Sequence, residues 1–239
     1  WQDLFMTNTL LPGISVPGGV GSGELLFANR GPQQGFVESA LALDANIASQ
    51  DSDRRWVSWG TDWFDLENDG WLDLYVAYGP LAGQVQTPQP NALLHNSEGR
   101  FVLDPDSGAD DLAEGRAVIP VDLDADGCVD LVVGNVFGPP GLFRNRCTDA
   151  GHWIELDLVG TAANRDALGA VVEVTAGGRV RRTEVLSGSV HGSPWKTQHL
   201  GLGDLEEVEG VRVLWPWGEA EEFGPLEVDR RHRLVQGGS

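Results

Sequence analysis

The chain has 239 residues, enough for one large domain or two small domains with a buried core. Its 16 basic and 36 acidic residues give a formal net charge of −20 at pH 7. This balance argues against nucleic acid as a partner, because binding to phosphate needs a basic surface. No membrane span is expected either, since apolar stretches such as Ala40–Leu43 fall far short of the roughly 20 residues that cross a bilayer.

Glycine and proline separate many short apolar runs along the whole chain. The 32 Gly and 13 Pro are spread out rather than clustered, and no segment shows a sustained helical period of apolar residues. Short strands joined by turns are typical of such a pattern. The sequence therefore predicts an all-β protein.

The first part of the chain contains an internal repeat. Three segments align without gaps: Trp1–Met6, Trp71–Val76 and Cys128–Val133. Each is followed by a run that ends in Asn: Leu25–Asn29, Leu93–Asn96 and Leu142–Asn145. A third strand is predicted around Gly35–Val37 and Arg100–Val102. Units of this size with three or four strands are typical of propeller blades, the alternative being unrelated hairpins of similar composition.

The pattern changes near residue 150 to alternating apolar and polar residues. Strands are predicted at Trp153–Leu158, Ala170–Val174, Val211–Trp215 and Arg233–Val235. We therefore expect residues 1–150 to form about three blades of a partial β-propeller. Residues 151–239 should form a small β-sandwich-like domain.

Two acidic loops carry the candidate metal chemistry. Loop one is Asp65–Asp73 and loop two is Asp122–Asp130, each with acidic side chains at positions 1, 3, 5 and 9 and Gly70 or Gly127 at position 6. The backbone carbonyl at position 7 is a further candidate ligand. The candidate metal ligands are Asp65, Glu67, Asp69, Trp71 and Asp73 in loop one, and Asp122, Asp124, Asp126, Cys128 and Asp130 in loop two.

Calcium is the ion that these loops fit best. Four carboxylates in one tight turn repel one another unless a cation compensates, and oxygen ligands on a flexible loop suit Ca²⁺ better than Mg²⁺. The loops are not EF-hands, because position 12 is Val76 or Val133 and strands rather than helices follow. The alternative is that both are empty acidic turns. For Asp104–Asp111, a further acidic stretch, a solvated linker is the expectation.

The two cysteines are predicted to form a disulfide. If the strands around Leu131 and Phe143 form a hairpin with Val132 opposite Phe143, then Cys128 lies opposite Cys147. Such a bond would indicate an oxidising compartment, whereas two free thiols would fit a cytosolic protein. The five histidines lack zinc-site spacing, and Ser189 and His191 do not indicate a catalytic dyad.

Several of these motifs resemble known families. Residues 60–76 and 121–131 resemble the FG-GAP/VCBS-type calcium-binding blades also found in integrin α-like propellers. The C-terminal part resembles the ASPIC/UnbV domain of cartilage-acidic-protein-like proteins. This second resemblance rests on Asn164–Ala170, Thr175–Gly178, Leu186–Ser189, His199–Gly203 and Val211–Pro216. The chain departs from that family at Val190–Gly192, where a Ser-Tyr-rich stretch is usual.

The resemblance implies a secreted, cell-surface or periplasmic calcium-dependent protein whose propeller has about seven blades. Alignment of Trp1 with position 7 of the acidic loops suggests that the chain is the C-terminal piece of a longer protein. We therefore expect missing N-terminal blades or a second chain to complete the propeller.

Two functions follow as hypotheses. The first is a calcium-binding module for binding, adhesion or structural assembly, with a protein or glycan partner and no catalytic residues. The second is part of a calcium-dependent enzyme whose pocket is completed by missing blades or a second chain, with His191 and Trp195 as residues that would line it. Whether the protein is an enzyme stays open, with a binding role favoured.

Overall fold

A computed structural model describes residues 3–7, 24–40, 42–45, 47, 57–80, 89–162, 164–188 and 195–238. Within these ranges the regular structure consists of seventeen β-strands and no helix. The described residues accordingly offer no helix that is long and apolar enough to span a membrane. The all-β prediction is confirmed.

Ten strands form three antiparallel sheets before residue 150. They are β1 (Leu4–Met6), β2 (Leu25–Asn29), β3 (Phe36–Glu38), β4 (Ser58–Phe64), β5 (Asp73–Tyr78), β6 (Ala92–Ser97), β7 (Arg100–Asp104), β8 (Gly115–Val121), β9 (Asp130–Asn135) and β10 (Gly141–Phe143). The sheet orders are β1-β2-β3, β4-β5-β6-β7 and β10-β9-β8. Strands that pair in sequence order within small sheets form propeller-like blades, as predicted for a partial propeller.

A shared core joins the first two sheets. Strand β5 is buried along its whole length, with Leu74, Val76 and Tyr78 inside this core. Trp63 packs edge-on to Phe5 with ring centroids 6.1 Å apart, and lies 5.8 Å from Phe101. These apolar contacts supply the stabilisation that short strands cannot supply alone.

One side-chain contact recurs in all three sheets and explains the repeat. The carboxylate of Asp3 accepts a hydrogen bond from the backbone N–H of Asn29 at 2.7 Å. Asp73 accepts the equivalent bond from Asn96, and Asp130 from Asn145, each at 2.8 Å. In each sheet, an aspartate at or just before the start of one strand is thus bonded to an asparagine near the end of the next strand. Trp1 and Gln2, which open the first repeated segment, lie outside the described residues.

The remaining seven strands form two sheets. They are β11 (His152–Val159), β12 (Val171–Ala176), β13 (Arg179–Glu184), β14 (Gln198–Gly203), β15 (Gly210–Leu214), β16 (Ala220–Phe223) and β17 (Arg230–Val235). The orders are β14-β11-β17, in which β11 and β17 run parallel, and β13-β12-β15-β16. Alternate residues such as Ile154, Leu156, Val172, Val174 and Val213 fill one core between the sheets. This part is the predicted β-sandwich-like domain.

The chain divides into two compact units whose bounds cut across the sequence order. The first contains the described residues of 1–63, 72–118 and 131–143. The second contains 64–71, 119–130 and the described residues from 144 onward. Loop two and most of loop one therefore belong to the same unit as the C-terminal sandwich.

The disulfide Cys128–Cys147 is present, with Cα atoms 5.7 Å apart. The hairpin register that led to it was wrong by one residue, because Val132 lies opposite Leu142 and Leu131 opposite Phe143. Strand β10 ends at Phe143, and Cys147 has a positive φ of 45°. The cysteines meet because the chain leaves the strand before it reaches Cys147, so the strand register does not extend to this pair.

Candidate metal centre

Loop one is shaped by its own carboxylates. Asp65, at position 1, accepts hydrogen bonds from the backbone N–H groups of Asp69 and Gly70 at 3.0 and 2.8 Å. Asp69, at position 5, accepts one from the N–H of Trp71 at 2.7 Å. These bonds wind residues 65–71 into a tight turn around the carboxylate of Asp65.

Loop two repeats this pattern at the corresponding positions. Asp122 accepts bonds from the N–H groups of Asp126 and Gly127 at 3.3 and 2.9 Å, and Asp126 accepts one from Cys128 at 3.0 Å. Position 4 has a φ of 58° in both loops, and the glycine at position 6 has a φ of 89° or 85°. A left-handed conformation at position 6 explains why glycine stands there.

Three carboxylates of loop two converge. Asp122, Asp124 and Asp130 each offer an oxygen, and these atoms lie within 4.8 Å of one another. The fourth predicted ligand, Asp126, is not part of this group; its two oxygens accept from the N–H of Cys128 and from Arg144. The guanidinium of Arg144 lies 2.5 Å from Asp124 and 3.3 Å from Asp126, so it supplies positive charge beside the cluster.

The candidate ligands of loop one are divided between the two compact units. Asp65, Glu67, Asp69 and Trp71 belong to the second unit, whereas Asp73, at position 9, starts β5 in the first unit. Asp65 and Asp73 are buried, with 2% and 1% of their surface exposed. Asp69 and Trp71 are exposed.

Burial makes these carboxylates costly to ionise. Burial raises the pKa of Asp65 to about 6, and the nearby Asp69 adds to this rise, while the N–H bonds from Gly70 and Asp69 oppose it. Burial also raises the pKa of Asp130, with further contributions from Asp124 and Asp126. A bound cation would offset this cost, because it favours the ionised form of every carboxylate around it.

The sequence prediction missed Asn68, at position 4 of loop one. Asn68 is only 1% exposed, and its side-chain amide donates to the backbone oxygen of Gly127 in loop two at 3.0 Å. Its side-chain oxygen lies 2.7 Å from Nε2 of His199. The sequence Asn68-Asp69-Gly70 already indicated a positive φ near position 4. It did not indicate the hydrogen-bond partners of Asn68, because Gly127 and His199 lie far away in the chain.

The donor set fits a hard cation. Asp122, Asp124 and Asp130 bring three oxygens to one place, two of the three side chains are buried, and loop backbone lies around them. Oxygen-only ligands on an irregular loop are the chemistry that Ca²⁺ prefers. A metal there would be held by the carboxylates of Asp122, Asp124 and Asp130.

Of the residues named for a catalytic pocket, His191 lies outside the described residues, as does Ser189. Trp195 is 44% exposed, and the guanidinium of Arg231 lies 5.9 Å from its ring centre. The described contact of Trp195 is therefore a cation–π interaction with Arg231.

The recurring Asp–Asn contact and the two acidic loops define a protein of the propeller-blade class, here followed by a β-sandwich-like domain. The FG-GAP-like repeat family matches residues 65–133, which include both acidic loops. The ASPIC and UnbV family matches residues 160–239. The chain thus carries an FG-GAP-like repeat followed by an ASPIC and UnbV domain. No curated protein matches the chain.

Proposed function

We propose that this protein is a calcium-binding extracellular or periplasmic β-propeller module that acts in binding, adhesion or structural assembly. The observation that carries the proposal is the shared conformation of the two acidic loops, together with the convergence of Asp122, Asp124 and Asp130. FG-GAP-like repeats often bind calcium, which supports the same ion. The metal would have a structural role, because it would hold each loop at the end of a blade.

The proposed compartment rests on the covalent chemistry of the chain. The Cys128–Cys147 disulfide is stable in oxidising surroundings such as the periplasm or the exterior of the cell, where calcium is also plentiful. The net charge of −20 suits these surroundings, since it keeps the protein soluble and attracts cations.

A partner that covers the third sheet is part of the proposal. Phe137 is 83% exposed and Leu142 is 66% exposed, and both lie at the β9–β10 hairpin. Strand β10 has only three residues and forms one end of its sheet. We expect further blades or a second chain to cover this apolar surface, and a protein or glycan to be the binding partner of the assembled propeller.

Thermal unfolding with and without metal tests the calcium proposal. At ten times the dissociation constant each site adds about 1.4 kcal/mol, so two sites should raise the midpoint by about 5 to 10 °C in Ca²⁺ relative to EDTA. An equal concentration of Mg²⁺ should have a smaller effect. Each single variant, Asp65→Ala or Asp122→Ala, should remove about half of the calcium shift.

The same calcium shift in both variants as in the unchanged protein would contradict the site assignment. Asp149→Ala is a matched control, because it removes an acidic residue that lies outside both loops. A cooperative transition that does not respond to calcium at all would mean that the loops are empty acidic turns.

A further inference from the structure

Loop one lies directly on the C-terminal sheet. The backbone N–H of Gly203, in β14, donates to the oxygen of Asn68 at 2.7 Å, and the N–H of Gly151 donates to the oxygen of Glu67 at 2.9 Å. A Cβ on Gly201 would come within 2.6 Å of two backbone carbons of Asn68. Oδ2 of Asp65 would lie nearer still to that Cβ, so the glycine at 201 allows both the backbone of Asn68 and the carboxylate of Asp65 to approach β14 closely.

The side chain of Asn68 completes this contact. Because its amide nitrogen donates to Gly127, its oxygen is the atom that faces His199, and Nε2 of His199 must be the donor in that bond. Asn68 thus connects three segments: loop one, loop two and β14. The interaction with His199 spans 131 residues of sequence.

Two side chains, Trp153 and Glu155, lie next to the ring of His199. Its ring stacks on Trp153 with centroids 5.9 Å apart and planes 14° apart. On its other edge Nδ1 faces the carboxylate of Glu155 at 3.6 Å, and Glu155 is 2% exposed. Glu155 and His199 are register partners in β11 and β14. At 3.6 Å Nδ1 is too far from Glu155 for a hydrogen bond, so the ring is positioned by its stacking on Trp153 and by its bond to Asn68.

Asn68 lies between two candidate metal ligands, Glu67 at position 3 and Asp69 at position 5. Any rotation of the Asn68 peptide would redirect both neighbouring side chains. We propose that Asn68 and His199 are positioning residues for the loop-one metal site, so that the ASPIC and UnbV domain helps to set the calcium affinity of the FG-GAP-like repeat. This inference rests on the proposed calcium function.

Groups that orient metal ligands without touching the metal typically change metal affinity by 10- to 100-fold when they are removed. We expect a change of about 10-fold here, because His199 acts on the ligands through one hydrogen bond. Linkage requires the reverse effect as well: calcium in loop one should strengthen the contact of the loop with β14.

Calorimetric titration of the full chain with Ca²⁺ tests the proposal. The titration is done in the Asp122→Ala background, so that loop one is the remaining site. His199→Ala and Asn68→Gly should each weaken calcium binding about 10-fold. Glycine is chosen at position 68 because it keeps the positive φ while removing the side chain. His199→Gln retains an N–H donor and should restore most of the affinity.

His232→Ala is the matched control, because the described hydrogen bond of the His232 ring goes to the backbone oxygen of Glu227 rather than to an acidic loop. Affinities within two-fold of the background protein for both His199→Ala and Asn68→Gly, even with a lower midpoint of unfolding, would overturn the positioning role. Should His199→Ala fail to fold, the Asn68→Gly titration decides alone. Absence of any calcium heat in the Asp122→Ala background would instead overturn the proposed calcium site of loop one.

Discussion

At the scale of single residues, the first carboxylate of each acidic loop has two roles. Asp65 and Asp122 bond to backbone N–H groups of their own turns, and they are also candidate metal ligands. In loop two a cation is already present in the form of Arg144, which pairs with Asp124 and Asp126. A metal ion would compete with this side chain for the same oxygens.

Replacement of Arg144 should therefore tighten calcium binding. Arg144→Ala removes a competing cation from two candidate ligands, and we expect the affinity of loop two to rise about two- to five-fold, since the pair is exposed and individually weak. Calcium titration in the Asp65→Ala background measures this. Arg146→Ala is the control with the same change in charge; an equal rise there would show that only net charge matters.

At the scale of elements, loop two is tied to a later segment of its own unit by a covalent bond. The disulfide joins Cys128 in the loop to Cys147, 19 residues on. Asn145 binds Asp130 across the same closure and also donates to the backbone oxygen of Leu66 in loop one. Loop two is thus braced by bonds that do not need a metal.

Removal of the disulfide should destabilise the protein. The double variant Cys128→Ser and Cys147→Ser frees a loop of this length in the unfolded chain, and we expect a loss of about 3 kcal/mol in the free energy of unfolding. Urea unfolding of the calcium-free protein measures the loss. The alternative result, a midpoint within error of the unchanged protein, would mean that Asp130, Asn145 and their neighbours hold the segment without the covalent bond.

At the scale of the whole molecule, loop two and most of loop one belong to the same compact unit as the C-terminal sandwich. Backbone bonds from Gly151 and Gly203 to loop one make this association direct. We therefore expect calcium binding to stabilise the second unit as a whole, although most of its residues are far from any candidate ligand in the sequence.

Hydrogen exchange should reveal this response. Calcium should slow amide exchange at least several-fold at Gly70 and Gly127, and also at Gly203 in β14, because its N–H is bonded to Asn68. Strands β1 to β3 of the first unit serve as the internal control and should change little. Protection confined to the loops, with Gly203 unchanged, would contradict a linked response.

Local sequence alone determined the all-β class, the repeat, the loop positions and the cysteine pair. Each of these depends on residues close together in the chain: the turn around Asp65 is made by the next five residues, and the glycine at position 6 is required by its backbone angle. The predicted β9–β10 register was wrong by one residue, because the spacing of residues in a hairpin does not fix which residues of its two strands lie opposite each other.

Only the tertiary structure shows which distant residues contact loop one. The bond between His199 and Asn68 and the close approach at Gly201 join segments that are more than a hundred residues apart. Such contacts leave no local pattern, because a histidine or a glycine in a strand looks the same whether or not a distant loop lies on it. The physical reason is that their geometry depends on how the sheets pack, which the spacing of residues along the chain does not encode.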